Sequence, residues 1–275
     1  MNSSSFCIKG HFVDTPTLGR IRLRTNHILV IEDGKIKNIV DSKGSDASSF
    51  KNVIDYSTNP NTNEIQFIFP GFVDTHCHAP QYPNIGIFGN TTLLDWLNKY
   101  TFPLENELTS NLEKAELVYK NAINKTLNNG TTTIAYYATI GKKSTELLAK
   151  LCLEMGQRAF VGKVCMDVNA PDYYSETHFE CIQDNKDLIM SIRDMNRKYH
   201  KDKFVEPILT PRFAPVVSKE TMRSLGNLSA VHDVPIQTHL SESFNEIELV
   251  METFPECDNY TDVYNRYGLL TDKTV

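Results

Sequence analysis

No stretch of this chain approaches the run of about 18 apolar residues that a bilayer-spanning helix needs. The N-terminus, Met1-Asn2-Ser3-Ser4-Ser5, is polar and lacks the apolar core of a secretory leader. Without a leader, the Asn-x-Ser/Thr matches at Asn90 and Asn129 read as chance. An excess of positive charge is also missing. The formal net charge is −6, which gives no reason to expect nucleic acid or an anionic membrane as partner. None of the six cysteines (Cys7, Cys77, Cys152, Cys165, Cys181 and Cys257) forms a Cys-x-x-Cys pair, and they read as reduced thiols of a cytoplasmic protein. No Gly-x-Gly-x-x-Gly turn follows the first long apolar run, which weakens a nucleotide-binding sheet. What remains is ordinary globular material: 275 residues, 40% hydrophobic and 23% charged, enough for one large domain with or without a small one.

The chain changes character near Glu64. Before it lie short β-type runs at Ile21-Leu23, His27-Ile31 and Lys35-Val40, with Asp33-Gly34 as a hairpin signal between the last two. Residues 41–63 are rich in Ser, Asp and Asn and read as a surface excursion. From Ile65 onward, strand candidates alternate with helical stretches: Ile65-Val73, Thr131-Ala138, Ala159-Met166, Val205-Thr210 and Pro235-Thr238. Ser110-Asn111-Leu112-Glu113 fits a capping box, and Gly130 and Gly156 fit helix stops. This alternation predicts parallel βαβ units, in a (β/α)₈ barrel or an open doubly wound sheet.

The chemistry concentrates at strand ends. In Phe72-Val73-Asp74-Thr75-His76-Cys77-His78, the two histidines stand two apart on one strand face and can grip one metal ion, while Cys77 faces away. Imidazole suits zinc or iron. His239 ends the fifth strand candidate, and Glu242 follows three residues later, where a carboxylate serves as a general acid/base. In a barrel these ends converge on one mouth. Pro211-Arg212-Phe213 ends the fourth candidate. Its guanidinium fork and ring suit a purine, although a structural ion pair and a core Phe account for the same residues. Gln81 can donate and accept at that mouth, or simply be a solvated loop side chain. Asp74 is placed to orient an imidazole.

Pro70-Gly71-Phe72-Val73-Asp74-Thr75-His76-Cys77-His78 resembles the first-strand signature of the amidohydrolase superfamily. Four further stretches narrow the likeness to its guanine deaminase family: His78-Ala79-Pro80-Gln81-Tyr82, Trp96 to Pro103, Gly156 to Asp167, and Thr210-Pro211-Arg212-Phe213. The likeness implies an α/β fold, a TIM-type (β/α)₈ barrel with a small N-terminal β-sandwich portion. It implies that His76, His78 and His239 hold one metal ion, usually zinc, with iron as the alternative. It makes Glu242 the proton-shuttling carboxylate, and Gln81, Arg212 and Phe213 the residues that hold guanine. The implied reaction is guanine plus water to xanthine plus ammonia, in a cytoplasmic enzyme that forms homodimers at full length. A metal ion lowers the pKa of a water. Glu242 would then protonate the ring nitrogen beside C2 and pass a proton to the leaving amine. The His-x-Glu…Pro-Cys-x-x-Cys signature of cytidine deaminases is absent.

The resembling family also uses a His at the end of the sixth strand and an Asp at the end of the eighth. Neither is found here. The expectation is therefore an incomplete barrel of about five βα units. Residues 1–64 would be part of a small β domain, and 65–275 a barrel stopping before its sixth strand, marginally stable and inactive alone. Two other readings stand beside it. One is a different amino-heterocycle hydrolase of the superfamily, distinguished by the purine edge that Arg212 would read. The other is a non-catalytic fragment that binds a full-length partner.

Overall fold

A computed structural model describes residues 5–43, 52–57, 66–87 and 90–275. The start of the first strand candidate, at Ile65, and most of the surface excursion expected over 41–63 lie outside them. The chain divides into two compact units, Met1–Gly71 and Phe72–Val275.

The first unit is a four-stranded sheet of β1 (Ser5–Thr17), β2 (Arg20–Glu32), β3 (Lys35–Asp41) and β4 (Val53–Asp55), in the order β3-β2-β1-β4. β1 was not legible as a strand, because it interleaves its few apolar residues with Lys9, His11 and Asp14. The β2–β3 turn has Asp33 and Gly34 at φ 51° and 73°. These are the two left-handed positions of a type I′ turn, which Asp-Gly adopts at low cost. Cys7, Phe12 and Ile28 are buried, whereas Ile21, Leu23 and Ile36 are exposed.

In the second unit, parallel segments follow one another in chain order. β5 (Phe72–His78) pairs with β6 (Thr131–Tyr137), β6 with β7 (Arg158–Gly162), and β7 with β9 (Val205–Pro207). β8 (Val164–Cys165) pairs with β10 (Thr210–Pro211). Single parallel bridges carry the series to Ile236 and then to Thr274. Side-by-side parallel strands with helices between them form the wall of a TIM-type barrel. The fifth candidate, Pro235-Thr238, thus pairs only through isolated bridges, and its proline has no N–H to give the ladder.

The helices are α1 (Leu93–Trp96), α2 (Phe102–Ser110), α3 (Leu112–Asn128), α4 (Lys142–Met155), α5 (His178–Lys198), α6 (Lys219–His232), α7 (Phe244–Thr253) and α8 (Tyr260–Arg266). Local chemistry sets their ends. Thr177 with Glu180 and Ser243 with Glu246 form reciprocal capping boxes on α5 and α7. Gly156 closes α4 at φ 81°. The box expected at Ser110 does not form: Asn111 caps α3 through Lys114 N–H, and Ser110 ends α2. Helical apolar faces pack on the wall, with Ile134, Tyr136, Val161, Leu148 and Cys152 in one buried cluster. Each such side chain contributes roughly 1.5–3 kcal/mol when removed from water. At Gly162 no side chain fits, since a Cβ would collide with the Thr210 hydroxyl and the Ile208 carbonyl.

Candidate active site

β5 delivers His76 and His78, and a register irregularity between Asp74 and Cys77 leaves Thr75 and His76 free of ladder pairing. His78 Nε2 lies 3.2 Å from His76 Nε2 and 3.0 Å from His239 Nε2, although residue 239 is 161 positions away. The Tyr137 ring stacks on His78 at 4.5 Å and touches the other two imidazoles at 4.6–4.7 Å, forming the floor of the cluster. Sequence reasoning did not single it out. Its hydroxyl donates to Thr238 O at 2.9 Å, which ties β6 to the segment bearing His239.

The protonation of the cluster follows from its surroundings. His239 Nδ1 is 2.6 Å from the Arg212 carbonyl, an acceptor, so Nδ1 carries the hydrogen and Nε2 keeps its lone pair. Burial pulls His239 down to about 3, against the pull of that carbonyl. Burial also holds His78 well below its usual value, with His239, Arg212 and His76 adding to the effect. His76 is more open to solvent, and it too is lowered by burial of its ring, with Asp74 opposing. At neutral pH the three rings are therefore uncharged, and their Nε2 atoms face one another. Bonds of about 2.0–2.1 Å in a tetrahedral zinc site separate ligand nitrogens by about 3.3 Å. The spacings of 3.0 and 3.2 Å fit such a donor set. Asp74 differs from its expected role: its carboxylate accepts from the His76 backbone N–H at 3.0 Å.

Arg212 is 2% exposed, and its guanidinium grips Glu105, itself 0% exposed, at 2.5 and 3.2 Å. Glu105 also accepts from Gln81 Nε2 at 3.1 Å and from the Tyr174 hydroxyl at 2.8 Å. The Phe102 ring lies 5.0 Å from the guanidinium carbon. A cavity of about 220 Å³ is lined by His76, His78, Gln81, Arg212, Phe213, His239 and Glu242, together with Leu93, Trp96 and Leu97. All seven sequence-selected residues thus meet at one mouth. Glu242 opens toward solvent, yet burial of part of its carboxyl raises its pKa, with Glu246 adding and Arg212 opposing. Cys77 faces away, against the apolar cluster, and its burial pushes the thiol up to about 12.

A second group of potential ligands, Cys165, Glu176 and Cys181, lies deeper. There the Lys163 ammonium donates to both Glu176 oxygens at 2.8 and 2.6 Å, and the Asn185 amide reaches the two sulfurs at 3.3 and 3.8 Å.

Known proteins resemble this chain in sequence and fold. The chain is 42% identical over 272 residues to a probable guanine deaminase of Schizosaccharomyces pombe, covering 97% of this chain and 50% of that protein. It is 40% identical to a guanine deaminase of Dictyostelium discoideum, covering 97% and 60%. The crystal structure of a guanine deaminase from C. acetobutylicum, with guanine bound in its active site, superposes with a TM-score of 0.88 at 35% identity, covering 98% of this chain and 61% of that one. The chain thus spans 50–61% of the length of these relatives. The sequence profile of the Amidohydrolase family matches residues 67–275, so the whole wall and the cavity at its mouth fall within the match, and the chain belongs to that family.

Proposed function

We propose that this cavity serves the hydrolytic deamination of guanine to xanthine and ammonia. The observation that carries the reading is the single cavity that gathers three imidazoles, a carboxylate, and a Gln, Arg and Phe from three distant segments. The relatives named guanine deaminase support it. His76, His78 and His239 hold one ion, zinc by their all-nitrogen donor set, with iron as the alternative. Such an ion supplies a Lewis acid that makes a water acidic near neutral pH. Phe213 offers an apolar face to the purine ring, while Arg212 and Gln81 address its polar edge. Glu242 carries protons. Its raised pKa suits a group that takes a proton and then gives it to the departing amine.

The protein fits a cytoplasmic enzyme of purine catabolism that forms homodimers at full length. Among the described residues no helix is long and apolar enough to cross a membrane.

The test is binding. The purified chain is loaded with zinc, its metal content is measured after dialysis, and guanine, adenine and cytosine are titrated calorimetrically. One zinc per chain and a preference for guanine are expected, with Arg212→Ala abolishing the preference. Equal binding of all three bases favours a different amino-heterocycle hydrolase.

A further inference from the structure

Glu105 was not selected from the sequence, and it does not line the cavity. Both of its oxygens are nonetheless fully engaged. Oε1 accepts from Gln81 Nε2 and Arg212 Nη2, and Oε2 accepts from Arg212 Nη1 and the Tyr174 hydroxyl. A carboxylate paired with an always-charged guanidinium accepts only. Gln81 must therefore turn its NH₂ toward Glu105 and leave its Oε1 for the cavity. An ungoverned glutamine amide would present either end. Arg212 is constrained as well. Glu105 takes one N–H from each terminal nitrogen, Met166 Sδ lies 3.8 Å from Nη1, and Phe102 covers one face. The donors left for the cavity are the second Nη2–H and Nε–H.

We propose that Glu105 is a positioning residue that fixes what the cavity offers a ligand, an acceptor from Gln81 beside donors from Arg212. The inference rests on the purine-binding reading and deepens it. An acceptor beside donors complements a cyclic amide, in which a ring N–H adjoins an oxo group. In the pose that guanine takes through its ring N–H and oxo group, a purine with an amino group but no oxo group satisfies neither. Tyr174 holds the carboxylate from behind and acts only through it.

The test uses 2-aminopurine, which lacks the oxo group and the adjacent ring N–H of guanine, and is itself fluorescent. Its direct binding to the full chain, and its displacement by guanine, give the ratio of the two affinities. The unaltered chain is expected to prefer guanine. Glu105→Gln is expected to cut that ratio by about tenfold to a hundredfold, the value of one or two oriented hydrogen bonds. Glu105→Asp should give an intermediate ratio, and Tyr174→Phe should stay within about threefold of the unaltered chain. A merely structural Glu105 would lower the melting temperature in every variant and leave the ratio unchanged, which overturns the proposal. Should Glu105→Gln fail to fold, Glu105→Asp decides by the same ratio. Should neither purine bind the unaltered chain, the purine reading falls. Crystal structures of the unaltered and Glu105→Asp chains then decide the positioning role. Rotation of the Gln81 amide or displacement of the guanidinium supports it, and unmoved side chains overturn it.

Discussion

Among the described residues, two clusters in the barrel unit hold three potential ligand residues each, and only one is built for an ion. Cys165, Glu176 and Cys181 have their needs met from within: an ammonium answers the carboxylate, and an amide answers both sulfurs. His76, His78 and His239 meet one another instead, Nε2 to Nε2, at the rim of a cavity. Counting donors does not separate the two. The separation comes from which charges the surrounding side chains already balance.

The contrast can be broken from either side. Lys163→Met would strand a buried carboxylate and is expected to cost about 3–5 kcal/mol in urea unfolding. Adding Glu176→Leu should recover most of that loss. If Lys163→Met unfolds no more easily and gains a zinc ion, the two clusters are not different in kind. Zinc at one hundred times its dissociation constant should stabilise the unaltered chain by about 2.7 kcal/mol, read from thermal unfolding. In His239→Ala that gain should vanish, with metal-free stability little changed. A full gain in the variant would move the ion elsewhere.

Gly162→Ala probes the close approach that sets the end of β7 beside Ile208 and Thr210. It should cost about 1–3 kcal/mol through overpacking. Glu242→Gln is the smallest effect. Partial burial raises the pKa of Glu242, so its folded form holds a proton to higher pH than its unfolded form. Its stabilising contribution is present at low pH and fades as pH rises through the folded pKa. The variant should therefore gain stability at pH 8 relative to pH 4, by no more than about 0.5 kcal/mol for so exposed a group. A loss at pH 8 would mean that the carboxylate is held by partners there.

Much of this was legible because it is local. Alternation on a strand put His76 and His78 on one face, Asp33-Gly34 marked a turn, and Gly156 marked a helix end. Strand ends meeting at one mouth brought in His239, Glu242 and Arg212. The first barrel strand shifted from the apolar Ile65-Val73 to Phe72–His78, because Pro70-Gly71 interrupts the apolar run and the polar half joins the ladder. Glu105 stayed hidden for a different reason. On its helix it reads as an ordinary solvated Glu, and only a partner 107 residues away makes it a buried one. Tyr137 likewise shows nothing in sequence, since its role depends on three rings from elsewhere.

The strand that bears two of the three imidazoles is laddered, among the described residues, along one flank only, and its Phe72 and Val73 are largely exposed. On the proposed metal reading, breathing of that strand would loosen two of the three ligands of the cation together. Amide protons of residues 73–77 would exchange with deuterated solvent through openings that an ion suppresses, so their slowing with added zinc would report its affinity without any assay of turnover.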